Sequence, residues 1–169
     1  MSGAWSCPAC GRSFGREGQS HSCVPAGTLE ESFRGRPDWY RDAFERIEAH
    51  LRSLGDVVVE PVQVGVFFKR SRSFAELRPM KSALRVEFLL SRSLDDPRIE
   101  KTLPLSANRV ASFVDVRSLD EVDSALLAWL AEAYDSSPVW MGLPRAARRS
   151  VIAAAIRAAL AKPSIVVIS

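Results

Sequence analysis

Apolar residues recur at helical spacing between Pro37 and Gly55: Trp39, Tyr40, Phe44, Ile47, Leu51 and Leu54 fall along one side of a helix. Pro37 suits the first helical position and Gly55 ends the pattern, so one long helix is expected here. Upstream, Thr28-Leu29-Glu30-Glu31 has the form of a capping box and Gly35 that of a stop, which predicts a short helix over residues 29–34. From residue 57 the period changes to two. Val57–Val59, Val64–Phe68, Ser73–Arg78, Leu84–Leu90 and Val110–Val116 read as strands, and in the fourth Leu84, Val86, Phe88 and Leu90 share one face. Ser91 to Asn108 reads as a loop rich in turn formers. Ser118 to Glu121 then caps a last helix whose apolar stripe is Val122, Leu126, Leu127, Trp129, Leu130, Ala133 and Tyr134. Short connections favour antiparallel neighbours, so the expected body is α+β, with two helices on one side of a five-stranded, mostly antiparallel sheet.

Composition changes this picture little. With 169 residues, 47% of them hydrophobic and 25% charged, the chain has the make-up of an ordinary soluble globular protein. The most apolar stretch, Val151 to Ile168, is broken by Arg157, Lys162 and Pro163, so no membrane span is expected and a cytoplasmic location is. Charge is more informative when divided. Residues 1–35 carry three basic and three acidic side chains, residues 36–135 carry 15 and 17, and residues 136–169 carry five and none. The net charge of +3 therefore belongs to the C-terminal extension, where Pro144 can open a weakly amphipathic helix through Ala161. These shifts divide the chain at 1–35, 36–135 and 136–169.

The first of these regions holds the most specific chemistry. Cys7, Cys10, His21 and Cys23 follow the pattern C-x2-C-x10-H-x-C and include every cysteine of the chain. Three thiolates and one imidazole can close a tetrahedron around Zn2+ with no position left for substrate, which is a structural site. Cys7-Pro8-Ala9-Cys10-Gly11 reads as a knuckle in which Gly11 tolerates positive φ, while His21 and Cys23, two apart, must lie on a turn or a helix end to reach one ion. Free or disulfide-bonded cysteines are the plainer alternative, and the odd count speaks against them.

Outside that cluster the signals are broader. Between residues 69 and 109 ten basic side chains stand against five acidic ones. If Lys69, Arg70, Arg72, Arg85, Arg98 and Arg109 share a sheet face, they would form an anion-binding platform on which Phe74 stacks a base. The plainer reading is a solvated face with Phe74 in the core. Asp115, Asp120, Glu121 and Asp123 can hold magnesium, but their place at the start of the last helix favours capping. His50 reads as a boundary residue of its helix. No phosphate-binding loop, dinucleotide fingerprint, nucleophile elbow or zinc-protease motif occurs.

Behind the zinc-knuckle start come Phe33, Gly35, Arg72-Ser73-Phe74-Ala75, Pro97-Arg98-Ile99, Val122-Asp123 and Trp129 to Tyr134. On these residues Phe33 to Tyr134 resembles domain of unknown function 5655, an uncharacterised bacterial family. It implies a compact α+β fold and no established reaction. It also implies a histidine in the strand near Ser112, whose absence counts against a proton-transfer site there. The expected function is a zinc-stabilised binding or adaptor protein meeting nucleic acid or another anionic partner. The alternatives are a protein-interaction module, through the zinc surface or the C-terminal extension, and an enzyme acting on a small phosphorylated substrate.

Overall fold

The computed structural model describes residues 5–14, 17–19, 21, 23–70 and 72–137. Its first compact unit runs from Met1 to Pro138, so the metal-binding segment and the α+β body belong to one unit. The expected helix and apolar run of the C-terminal extension lie outside the described residues.

Two short strands, β1 (Trp5–Ser6) and β2 (Ser13–Phe14), form the first ladder. Helix α1 (Leu29–Phe33) starts at the expected capping box: the Thr28 hydroxyl accepts from the Glu31 N–H, and the Glu31 carboxylate accepts from the Thr28 N–H. Helix α2 (Asp38–Leu54) turns Tyr40, Ala43, Phe44, Ile47 and Leu51 inward. It begins one residue after Pro37 and ends at Gly55, whose φ of 141° closes the pattern.

Six strands follow: β3 (Val58–Val62), β4 (Gly65–Lys69), β5 (Ser73–Pro79), β6 (Leu84–Leu90), β7 (Ile99–Ser106) and β8 (Arg109–Val116). They form one antiparallel sheet in the order β3-β4-β5-β6-β8-β7. The five-strand expectation is thus corrected to six, and the added strand is β7, within the stretch read as a loop. Its sequence, Ile99 to Ser106, does not alternate because it lies at the sheet edge, mostly exposed, with Pro104 and two register shifts. An edge strand has no buried face to write a period into the sequence, and it tolerates proline.

Helices α2 and α3 (Ser124–Asp135) cover one face of the sheet. That core contains Val66, Phe68, Ala75, Leu77, Leu84, Val86, Phe88, Leu90, Val114 and Val116. The last helix starts later than expected. Leu119–Glu121 form a single 3-10 turn, and Asp123 is the cap, its carboxylate accepting the Leu126 N–H at 2.9 Å. The acidic group therefore disperses: Asp123 caps, Asp115 faces away from the helices, and Glu121 accepts from the Arg117 N–H.

Candidate metal centre

The knuckle forms as its sequence predicts. Gly11 has φ of 70° and its N–H donates to the Cys7 carbonyl at 2.8 Å, while the Cys7 N–H donates to the Arg12 carbonyl at 2.9 Å. This turn brings the two sulfurs of Cys7 and Cys10 to one side, where His21 and Cys23 meet them. All four ligand atoms lie within 4.8 Å of one another. Metal–sulfur bonds of about 2.3 Å and metal–nitrogen bonds of about 2.0–2.1 Å on a tetrahedron would separate ligand atoms by ~3.5–3.8 Å. The Cys7 and Cys23 sulfurs are 3.9 Å apart and the Cys10 sulfur is 3.5 Å from His21 Nε2, so these two edges already match. No disulfide links them.

The surroundings fix the imidazole. His21 Nδ1–H donates to the Gln19 carbonyl at 2.6 Å, which leaves Nε2 to face the sulfurs as a neutral ligand. Phe14 lies against the ring with centroids 4.0 Å apart, and Trp5 meets it edge-on at 6.1 Å. Three thiols this close cannot all ionise unaided. Burial acts against ionising Cys7, but N–H groups of the turn outweigh it and draw its pKa down to about 6. Its hydrogen bond then pushes Cys23 up to about 11. A dication at the centre would compensate the repulsion, so the cluster can hold a metal ion.

The metal loop is tied to the β3–β4 edge. Ala26 pairs with Val62, and the Gly27 N–H donates to the Pro61 carbonyl at 3.3 Å. A Cβ on Gly27 would stand 2.8 Å from the Gln63 nitrogen, so only glycine permits this approach. Arg12 contributes a side chain only 4% exposed, with its guanidinium 2.5 Å from Glu60 and 5.0 Å from the Phe67 ring centroid. Burial raises the Glu60 pKa, but hydrogen bonds from Arg12 and Lys69 outweigh it and hold the group below the usual range. Sequence reasoning missed Arg12 and Glu60, because nothing local marks two residues 48 apart as partners.

Of the cations expected on one sheet face only some share it, and most are engaged by other groups of the chain. Lys69 pairs with Glu60. Arg70 donates to the Tyr134 and Ser137 carbonyls at the end of α3 and lies over the Tyr134 ring at 4.1 Å. Arg85 makes a two-pronged bond to Asp115 at 2.6 and 2.8 Å, which lowers the carboxyl's pKa. Arg98 bonds Asp96 and Asp123 and lies over Trp129. Arg72 is exposed in the β4–β5 loop and Arg109 half-exposed at the start of β8.

Phe74 is corrected outright: it is 1% exposed and meets Tyr134 edge-on in the core. The register explains this, since Lys69 pairs with Ser73 and Phe68 with Ala75, which leaves Phe74 as the extra residue of a bulge. A bulge re-aims one side chain, here toward the helices.

The face of the sheet turned away from α2 and α3 is not a positive platform either. It carries Lys69, Arg78, Arg85 and Lys101, with Arg109 at its end, interspersed with Glu60, Glu76, Glu87 and Asp115. A depression of about 150 Å³ on it is lined by Glu76, Arg78, Met80, Arg85, Glu87 and Phe113. Ser112, on the opposite face, has a fully buried hydroxyl with no partner among the described residues.

No helix among the described residues is long and apolar enough to cross a membrane. No curated protein and no solved structure matches the chain. The profile described as Domain of unknown function (DUF5655) matches residues 29–137, from α1 to the end of α3. That stretch is more than half of the 169 residues and contains the whole six-stranded sheet. The metal-ligand set Cys7, Cys10, His21 and Cys23 precedes it, and the chain belongs to the DUF5655 family.

Proposed function

We propose that this chain is a zinc-stabilised binding or adaptor protein whose partner is anionic, with nucleic acid the leading candidate. Zinc is the ion that suits three thiolates and one imidazole in a closed tetrahedral set. Such a set organises a surface and leaves no open position for chemistry.

One observation carries the anionic reading: the register gathers exposed cations at one end of the sheet, not on its face. The pairings Lys69–Ser73, Ala75–Phe88 and Leu90–Val110 run along that end, where Arg72 and Arg92 lie in the loops and Arg109 opens β8. Arg92 is held by Glu132, while Arg72 and Arg109 form no ion pair among the described residues. Arg70 stands at this end too, donating to the Tyr134 and Ser137 carbonyls. Phosphates would suit this rim through guanidinium contacts.

Fluorescence anisotropy with single- and double-stranded oligonucleotides tests the reading across a salt series. Affinity that falls with salt supports it, and the double variant Arg72→Ala/Arg109→Ala should flatten the log–log salt slope by about 1–2. No affinity at low salt, or affinity indifferent to salt, rejects it.

A protein partner is the second reading, favoured by the exposed β7 edge, where Leu103 and Leu105 are 42% and 50% exposed. Its mark is a complex that survives Arg72→Ala/Arg109→Ala and is lost in Leu105→Lys. An enzyme acting on a small phosphorylated substrate has less support, because Arg85 is engaged by Asp115 and Arg72 lies toward the opposite end of the sheet from Arg78 and Arg85.

A further inference from the structure

The metal loop does more than hold itself together. Its turn from Cys7 to Arg12 is closed by the Cys7 N–H on the Arg12 carbonyl, so the two cysteines of the knuckle fix where Arg12 starts. From there the guanidinium reaches Glu60 of β3 and lies between two rings, Phe14 of the loop at 5.5 Å and Phe67 of β4 at 5.0 Å. Lys69 of β4 points back, bonding the same Glu60 and lying 5.8 Å from Phe14. A second tie runs through the backbone: the Cys10 carbonyl accepts from the Ala26 N–H at 3.4 Å, and Ala26 pairs with Val62. Both ties thus begin at or beside a ligand cysteine and end on β3 or β4.

The two ties differ in what else holds them: Ala26 is flanked by the Gly27 N–H on the Pro61 carbonyl and the Gln63 N–H on the Pro25 carbonyl, whereas Arg12 lies in the stretch that the ligand cysteines organise. The β1–β2 ladder has two residue pairs, too few to persist alone, and the loop's own cluster is Cys7, Cys10, Phe14 and Trp5. Beneath the Arg12 and Lys69 side chains lies Phe67 of β4, on the face of the sheet turned away from α2 and α3 and only 8% exposed.

We infer that metal occupancy at Cys7, Cys10, His21 and Cys23 latches the loop onto β3 and β4 through Arg12, so that loss of the ion uncovers Phe67 while the rest of the sheet stays closed. The inference rests on the reading of the cluster as a metal centre. It makes the ion a control on an apolar surface more than 45 residues away in sequence from Arg12, with no ligand shared between the two. Local opening of this kind is expected where a segment has few buried contacts of its own.

Hydrogen exchange read by mass spectrometry on the full chain tests it, with metal content measured on the same samples. The comparison is between zinc-loaded protein, protein stripped by a chelator, and the zinc-loaded variant Arg12→Met. The expected result is one metal per chain in the loaded forms, with amides of β3 and β4 exchanging on the order of 10-fold faster after stripping and also in Arg12→Met, while β6 and β8 are unchanged. Stoichiometric metal with no change in β3–β4 on stripping overturns the latch and leaves the metal centre standing. Faster exchange on stripping but not in loaded Arg12→Met overturns the role of Arg12. Absence of stoichiometric metal overturns both the latch and the centre on which it rests.

Discussion

Among the described residues of the metal loop the buried apolar cluster is only Cys7, Cys10 and Phe14, with Trp5 leaning on them, whereas the body completely buries Tyr40, Phe44, Phe68, Phe74 and Phe88. The body can stabilise itself, because α2 and α3 each present an apolar side to an alternating sheet. The loop cannot, because so short a segment has no second layer to bury against. Coordination replaces burial there: four ligands from residues 7–23 converge to within 4.8 Å of one another, although the described residues of the loop add little apolar area beyond Phe14 and Trp5. Side-chain chemistry rather than side-chain volume therefore decides the local fold, and a single ligand should matter more in the loop than a single core residue in the body.

The largest expected effect is that of removing a ligand. Cys10→Ser should abolish stoichiometric metal and the ordered signals of the loop, against a coordination energy of about 10–16 kcal/mol for structural zinc. The cooperative unfolding of the body should persist, as seen by circular dichroism and by NMR peaks from β6 and β8. Collapse of the whole chain would break the comparison, since it would make the body depend on the ion.

Phe74→Ala comes next and tests the opposite half. The ring is closed off by Tyr134 and the α3 side of the sheet, so urea unfolding should show a loss of about 3–5 kcal/mol with metal content unchanged. A loss near zero would return Phe74 to the surface and revive a stacking role.

The smallest effect sharpens the electrostatics of the uncovered face. Glu87 faces Glu76 directly across β5 and β6, and burial, then that neighbour, holds its pKa above the ordinary carboxylate value. The folded protein thus binds this proton more tightly than the unfolded chain does. Stability contributed by the neutral form is present below the ordinary value and is lost as pH rises through the raised one. Glu87→Gln should remove that loss, gaining about 0.5 kcal/mol near pH 7 after solvent screening and nothing near pH 4, as read from Tm across the range. Equal Tm shifts at both ends would show that the carboxylate is not the cause.

The loop was the more legible of the two parts, and α2 the most legible element of the body. Cysteine and histidine are scarce in this chain, so their spacing stood out, and the Gly11 turn and the Thr28–Glu31 box have local geometry written into neighbouring residues. Strand β7 was not legible, because an edge strand lacks a buried face and Pro104 argues for a loop. The stacking role expected for Phe74 failed for a subtler reason: alternation assigns a face only when the register is unbroken, and the bulge shifts it at that residue. The cations misled in their turn, since Arg85 and Asp115 are 30 residues apart and no local count reveals that one neutralises the other.

Sequence alone determined which side chains can bind a metal, where the capped helices begin, and which strand faces are apolar, since each depends on residues within a few positions of one another. Tertiary structure decided which charges meet, that Glu60 ties the metal loop to the sheet, and that Arg72 and Arg109 come to one end of it. Those outcomes depend on strand register and on closure across long stretches of chain, which are set by the packing of the whole core.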